Sequence, residues 1–236
     1  MARNAENLKK LIIIPAYNES ENIERTIRDV KEHAPGFDYV IINDCSRDDT
    51  LEILRKNNFH YLNLPVNLGI GGAVQTGYRY AYYHGYDLAV QFDGDGQHNA
   101  AYLQAMADEL VSTGSNMVIG SRFIKKEGFQ SSGMRRAGIR HFTRLIRLLT
   151  RKTITDPTSG LRIVDRKLMD LFQADYPKDY PEPESTVMVL SKGYKVQEIP
   201  VIMNEREGGV SSISLLNGIY YMIKVSLAIL FARIHK

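Results

Sequence analysis

The chain has 236 residues, 44% hydrophobic and 24% charged, enough to bury a sizeable core in one large domain with at most a small appendage. Its 30 basic and 27 acidic residues leave a formal charge of +3, too mild to argue for nucleic acid as a partner. Cys45 is the one cysteine, which excludes an internal disulfide and fits a reducing compartment, and the first ten residues lack the apolar core of a signal peptide.

After that polar lead-in, Leu11 to Ile14 read as a β-branched strand stopped by Pro15. Asn18 or Ser20 can cap a helix running to about Glu32, with Ile23, Ile27 and Val30 on its buried side. Pro35 and Gly36 end it. Tyr39 to Ile42 form a second strand, which leaves through Asn43-Asp44-Cys45-Ser46-Arg47-Asp48-Asp49-Thr50 into a helix carrying Leu51, Ile53 and Leu54. A short third strand falls near Tyr61 to Leu64. Asn67-Leu68-Gly69-Ile70-Gly71-Gly72 then precedes a helix from about Ala73 to His84.

Leu88 to Phe92 read as a buried strand, and Gly94 and Gly96 break it. Asp93 and Asp95, one residue apart, point to the same side in strand geometry. Two carboxylates held that close need a proton or a cation between them, and a hard divalent ion shared with a phosphate meets that need. Gln97 or His98 can complete the ligands. A helix over Ala101 to Leu110 and a strand over Met117 to Ile119 follow.

Strand-then-helix units in succession predict an α/β fold with a mostly parallel sheet flanked by helices. Ligands in such sheets sit at the carboxyl ends of the strands, where Tyr17, Asn18, Asp44 and Asp93 all fall. Beyond Gly120-Ser121-Arg122 the texture changes. Lys125 to Arg136 reads as a mobile loop. Ile139 to Leu149 reads as a basic amphipathic helix, its arginines a solvated face or a contact for an anionic membrane or phosphorylated acceptor. Thr155 to Gly160 is a tight polar turn, followed by Leu161 to Val164, a helix over Arg166 to Phe172, a proline-rich acidic segment leading into a further helix, and a last strand over Lys195 to Val201. Leu215 to Ile234 is mostly apolar but holds Lys224 and Arg233, which suits an interfacial or docking helix better than a membrane span.

Six of these segments in this order resemble the inverting family 2 glycosyltransferases: Ile14 to Glu19, Asn43 to Thr50, Asn67 to Gly69, Asp93 to His98, Gly120 to Arg122 and Asp156 to Gly160. The nearest flavour is the dolichyl-phosphate-mannose-synthase-like branch, bacterial surface-polysaccharide type. The resemblance implies a GT-A nucleotide-sugar fold over residues 1–212, with a donor half to about 120, an acceptor half from 121, and a C-terminal helix over 213–236 that meets a membrane surface or another copy. By position, Pro15, Tyr17, Glu19, Asn67 and Gly71 are expected in the nucleotide pocket, and Asp44 on the base. Asp93 and Asp95 match the metal–diphosphate motif for Mg2+ or Mn2+, and Gln97 a position that also reaches the metal. Arg122 and Arg206 match basic residues that meet phosphate. Arg135, Arg136, Asp156 and Ser159 fall on the acceptor side, and Glu182 and Glu184 where related synthases keep a base. Cys45 stands where the family carries glycine, so the backbone there must avoid a positive φ or tolerate one. Trp is absent, which disfavours processive cellulose-like synthesis.

These readings lead to a metal-dependent transferase, cytoplasmic and peripheral on the inner face of the membrane. Its expected donor is a nucleoside-diphosphate hexose, uridine-linked by preference and UDP-glucose among the candidates, and its expected acceptor a polyprenyl phosphate or lipid-linked saccharide. Self-association is open. The alternatives are a sugar nucleotidyltransferase, which releases pyrophosphate instead of nucleoside diphosphate, and a non-catalytic nucleotide-sugar-binding partner subunit. A dinucleotide oxidoreductase would want its glycine fingerprint after the first strand, where Pro15-Ala16-Tyr17-Asn18 stand instead.

Overall fold

A computed structural model of the chain describes residues 5–125, 127, 133–204 and 215–234. The first half alternates strictly: β1 (Lys10–Ala16), α1 (Ile23–His33), β2 (Asp38–Asn43), α2 (Thr50–Lys56), β3 (Tyr61–Asn63), α3 (Gly69–Tyr83), β4 (Leu88–Gln91), α4 (Leu103–Thr113) and β5 (Met117–Ser121). The second half runs α5 (Gly133–Thr150), β6 (Arg162–Asp165), α6 (Arg166–Ala174), α7 (Pro181–Ser191), β7 (Val196–Pro200) and α8 (Leu215–Ile234). The strands make one sheet in the order β3-β2-β1-β4-β6-β5-β7.

β1 lies within the sheet and is buried along its whole length. Its side chains alternate between two cores, Ile12 and Ile14 facing α1 and α4, Leu11 and Ile13 facing α3, α6 and α7. The sheet is therefore covered on both faces, as a mostly parallel sheet must be. Gly77 lets α3 lie directly on β1, because a Cβ there would strike the Ile13 side chain.

β6 breaks the parallel pattern. It inserts between β4 and β5 and runs antiparallel to both, with Gln91 opposite Arg162 and Val118 opposite Ile163. Its beginning, rather than its end, therefore lies at the carboxyl edge of β4. The order of the first four strands reverses between β1 and β4, and that switch point is where an open sheet leaves a crevice. A smaller difference concerns α3, which starts at Gly69, earlier than the expected Ala73. Gly71 allows this: its N–H donates to the Lys178 carbonyl at 3.2 Å, and a Cβ would collide with the backbone of Pro177 and Lys178.

Candidate active site

A cavity of about 400 Å3 opens at that switch point, within the range of small-molecule sites. Pro15, Ala16, Tyr17 and Glu19 line it from the end of β1, Asp44 from β2, Asn67, Gly69, Ile70 and Ala73 from the start of α3, and Asp93, Gly94 and Asp95 from β4. The expected pocket residues Pro15, Tyr17, Glu19, Asp44, Asn67, Asp93 and Asp95 thus share one space. Gly71 does not line it and instead seats α3 on the 177–178 backbone.

Asp44 marks one end. Its side chain is almost wholly buried. One carboxylate oxygen accepts from the Leu68 amide at 2.7 Å, while Asn67 donates to the Asp44 carbonyl at 3.0 Å and accepts from the Gly69 amide at 3.2 Å. The carboxylate is thereby fixed by backbone, with a second oxygen for an N–H from the cavity. The neighbouring β1 loop is tied to the β2 loop: Asn18 N–H donates to Ser46, Ser20 N–H to Asp48, and Arg47 N–H to the Asn18 carbonyl oxygen of the side chain.

The other end is acidic. Asp93 is 34% exposed toward the cavity, yet its Oδ1 is buried and makes no hydrogen bond among the described residues. Burial first, and the charge of Asp95 second, push the Asp93 carboxyl well above the usual carboxylate range, while the Gln91 amide, Arg122 and Arg162 pull it down. Gly160 backs this carboxylate so closely that a Cβ would collide with it. Asp95 is partly buried and accepts from the Gln97 amide at 3.1 Å. An orphaned carboxylate oxygen, a second carboxylate and a cradle shaped by glycine fit a hard divalent ion. Among the described residues no three His, Cys, Asp or Glu side chains gather as a ligand cage, so such an ion would share its remaining positions with phosphate oxygens and water.

His98, expected among the metal ligands, is placed behind Asp93. Its Nδ1 accepts from the Asp93 N–H at 3.0 Å, its Nε2 lies 3.6 Å from Asp93 Oδ2, and its ring edge packs on Phe92. Burial lowers its pKa below the usual histidine value, so it stays neutral and braces the acidic turn. Gln97 is partly exposed, with its carbonyl accepting from the Asn204 amide.

Beneath the acidic turn lies a polar network. Arg122, expected to meet phosphate, is 7% exposed and forms a bidentate pair with fully buried Asp156, Nε to Oδ2 at 2.6 Å and NH2 to Oδ1 at 2.8 Å. Its guanidinium is committed to the protein, and its charge reaches the site as a field. Asp156 and Ser159, expected beside the acceptor, are interior: Ser159 donates to the Gly120 carbonyl at 2.7 Å. Glu198, which the sequence did not single out, accepts from the amides of Thr155 and Asp156 at 2.7 and 2.9 Å and shapes the same turn.

Arg162 was also missed. It is 1% exposed, and its donors go to the carbonyls of Pro157, Ser159 and Glu182 and the hydroxyls of Ser185 and Thr186. It fastens the 156–160 turn to the first turn of α7. Glu182, in that turn, accepts from Gln91 Nε2 at 3.1 Å, and burial raises its pKa against the opposing pull of Arg162. Glu184 parts company with it: burial and the charges of Asp175 and Asp179 push its carboxyl up to about 7. Of the two glutamates, Glu182 adjoins the Asp93 neighbourhood. Arg135 and Arg136, expected in a mobile loop, fall instead in the first turn of α5, where Arg136 is exposed; the side chain of Arg135 lies outside the described residues, and so does Arg206.

Comparison with known proteins identifies what this geometry resembles. A family model described as "Glycosyl transferase family 2" matches residues 11–172. A polyprenol monophosphomannose synthase of Mycolicibacterium smegmatis is 28% identical over 228 residues, covering 92% of this chain and 86% of that protein. An undecaprenyl-phosphate mannosyltransferase of Micrococcus luteus is 29% identical over 216 residues, covering 88% of each. Among solved structures, glucosyl-3-phosphoglycerate synthase from Mycobacterium tuberculosis, in complex with Mn2+, uridine diphosphate and phosphoglyceric acid, superposes with a TM-score of 0.73 at 18% identity, covering 97% of this chain and 80% of that one.

Proposed function

The chain belongs to glycosyl transferase family 2, as an inverting glycosyltransferase of the GT-A fold, and from that premise we propose that it moves a hexose from a nucleoside-diphosphate sugar to a polyprenyl phosphate or lipid-linked saccharide at a membrane surface. The observation that carries the donor half is a single cavity lined on the β2 side by Asp44 and on the β4 side by the Asp93–Asp95 pair, so that one ligand can meet both. Asp44 takes an N–H of the base with the carboxylate oxygen that Leu68 does not hold. Asp93 and Asp95 would hold the divalent cation. When bound, the cation offsets negative charge gathering on the departing diphosphate. The buried field of Arg122 and Arg162 adds to that effect. Displacement from the face opposite the diphosphate inverts the anomeric carbon. A hydroxyl acceptor gives its proton to Glu182; a phosphate acceptor needs no base.

Two of the relatives are a polyprenol monophosphomannose synthase and an undecaprenyl-phosphate mannosyltransferase, which supports a lipid acceptor, while the solved structure holds the small acceptor phosphoglyceric acid. A surface supports membrane contact. Ser226 of α8 bonds His141 of α5 at 3.0 Å, setting the two helices side by side. α8 exposes Ile223, Leu227 and Phe231 in one stripe, and α5 exposes Arg140, Arg144 and Arg147 beside Leu148, which is 79% exposed, with Arg151 exposed just past its end. Among the described residues no helix is long and apolar enough to cross a membrane, so the proposed contact is interfacial.

The test is a thermal-shift titration with UDP, GDP, dTDP and CDP, each with and without Mn2+. One nucleotide should stabilise the protein only with metal, since a ligand specific for the folded state raises its stability. Asp95→Ala should lose that shift and turnover while keeping its own melting temperature. Turnover is then read as nucleoside diphosphate released from the matching glucose or mannose donor with undecaprenyl phosphate, or with 3-phosphoglycerate. Release of pyrophosphate instead, or a fully active Asp95→Ala, would overturn the reading.

A further inference from the structure

Gln91 is fully buried at the end of an otherwise apolar strand. An unbranched apolar residue would fill the same space without needing hydrogen bonds, so the amide calls for an explanation beyond folding. Its bonds supply one. Nε2 donates to Glu182 Oε1 at 3.1 Å, and Oε1 accepts from the Tyr176 hydroxyl at 3.3 Å. The amide therefore has one workable orientation. Turned over, it would set its oxygen against a carboxylate oxygen. Tyr176 cannot yield easily, because its ring is packed edge-on against Tyr78 and Phe172, centroids 5.4 and 5.0 Å away. Burial keeps its phenol protonated, and so a donor, throughout the working pH range.

Antiparallel pairing puts Arg162 directly across from Gln91. The two neighbours grip one residue at two points: Arg162 NH1 holds the Glu182 carbonyl at 2.7 Å, and Gln91 holds its carboxylate. Arg162 thus fixes where the α7 backbone lies, and Gln91 fixes where the carboxylate points. Asp93 follows Gln91 by two residues, just past the end of β4, so the donor-side carboxylate and Glu182 are both referred to the end of that strand.

We propose that Gln91 is a positioning residue: its amide, oriented by Tyr176, holds the Glu182 carboxylate in the setting from which it meets the acceptor. This rests on the reading of Glu182 as the acceptor-side carboxylate.

The variants are Gln91→Met, which keeps the volume and removes both hydrogen bonds, Tyr176→Phe, their double mutant, and Glu182→Gln. Each is assayed for Mn2+-dependent binding of the nucleoside diphosphate that stabilises the wild type, and for turnover of its glucose or mannose ester with undecaprenyl phosphate and with glycerol as a hydroxyl acceptor. Gln91→Met should weaken nucleotide binding no more than severalfold, since its amide also bears on Asp93, while kcat with the hydroxyl acceptor falls roughly ten- to a hundredfold, as a misplaced group commonly costs. Tyr176→Phe should lose less, and the double mutant no more than Gln91→Met alone, since both act through one amide. If Glu182→Gln is impaired but Gln91→Met turns over normally, the positioning role is overturned and Glu182 stands. Glu182→Gln at the wild-type rate with glycerol, or turnover with undecaprenyl phosphate alone, overturns both. Equal losses in nucleotide binding and kcat, or full additivity with Tyr176→Phe, would mark Gln91 as structural only.

Discussion

Cys45 carries a left-handed backbone, φ +58°, in the turn after β2, and Asn18 does the same, φ +56°, in the turn after β1. Asn tolerates that region; Cys has no such excuse, and the conformation costs an L-residue about 1–2 kcal/mol. The left-handed turn presents Ser46 to the Asn18 amide and the Asn43 side chain. Cys45→Gly should therefore gain up to about 1 kcal/mol after glycine's greater unfolded-state entropy is subtracted, and Cys45→Val should lose about 1–3 kcal/mol, both read by denaturant melts. Glu184 gives a pH signature. Its carboxyl sits at about 7 in the fold, against about 4.3 in an unfolded chain. Between those values the folded state binds the proton and the unfolded state does not. Stability from this group is complete below the lower value and is lost as pH rises through the upper one. Glu184→Gln should raise the melting temperature at pH 8, by an amount that solvent screening holds to roughly 1 kcal/mol, and much less at pH 5; equal shifts at both would exclude the linkage. The expected residues gathered in the cavity were legible because each falls within a few positions of a strand's end. Which of Glu182 and Glu184 adjoins Asp93 was not legible, since both sit at a helix start and only the cross-sheet contact with Gln91 separates them.

At the scale of elements, the periodic pieces were readable and the odd strand was not. β1, β2 and β4 announce themselves as short apolar runs closed by proline, asparagine or aspartate. β6 looks the same in sequence, and nothing local states that it runs backwards into the middle of the sheet. Arg162 is its first residue, and a lone arginine before an apolar run gave no signal of burial. Its role follows from the turn it clamps to α7. Arg162→Met should destabilise the protein by about 3 kcal/mol or more, because it strands several buried carbonyls together. A chemical denaturation series with Arg162→Lys as the milder partner checks this, and a loss below 1 kcal/mol would show the clamp to be dispensable. Gly77 makes the complementary point on α3. Its contact with Ile13 leaves no room for a methyl group, so Gly77→Ala should cost about 1–3 kcal/mol by overpacking.

For the molecule as a whole, the sequence conveyed the α/β class and the pooling of site residues at one edge, since those follow from strand-then-helix order. It could not convey how α5 and α8 lie together, because that packing joins segments far apart in the chain. Their joint surface makes a prediction about partition. In sedimentation with phosphatidylglycerol vesicles, the protein should bind more strongly than with phosphatidylcholine and lose that excess in high salt. Replacing Arg144 and Arg147 by glutamate should weaken anionic binding at least several-fold, at about 1 kcal/mol per arginine, and Leu227→Glu should weaken binding to both lipids. Indifference to lipid charge would remove the arginine face from the proposed membrane contact.

The inserted strand also bears on synthesis. β4 pairs on one side with β1 and on the other with β6, and β5 reaches the sheet only through β6 and β7. A nascent chain that has emerged as far as Ser121 therefore has β4 with one naked edge and β5 with no partner at all. Such edges template association with other chains. The dozens of residues still to be translated before Arg162 define a window in which the growing polypeptide depends on chaperone cover or slow elongation. Truncation after Ser121 should yield inclusion bodies rather than an autonomous nucleotide-binding fragment. Asp93 thus waits through the same window for Gly160, the residue that backs its carboxylate.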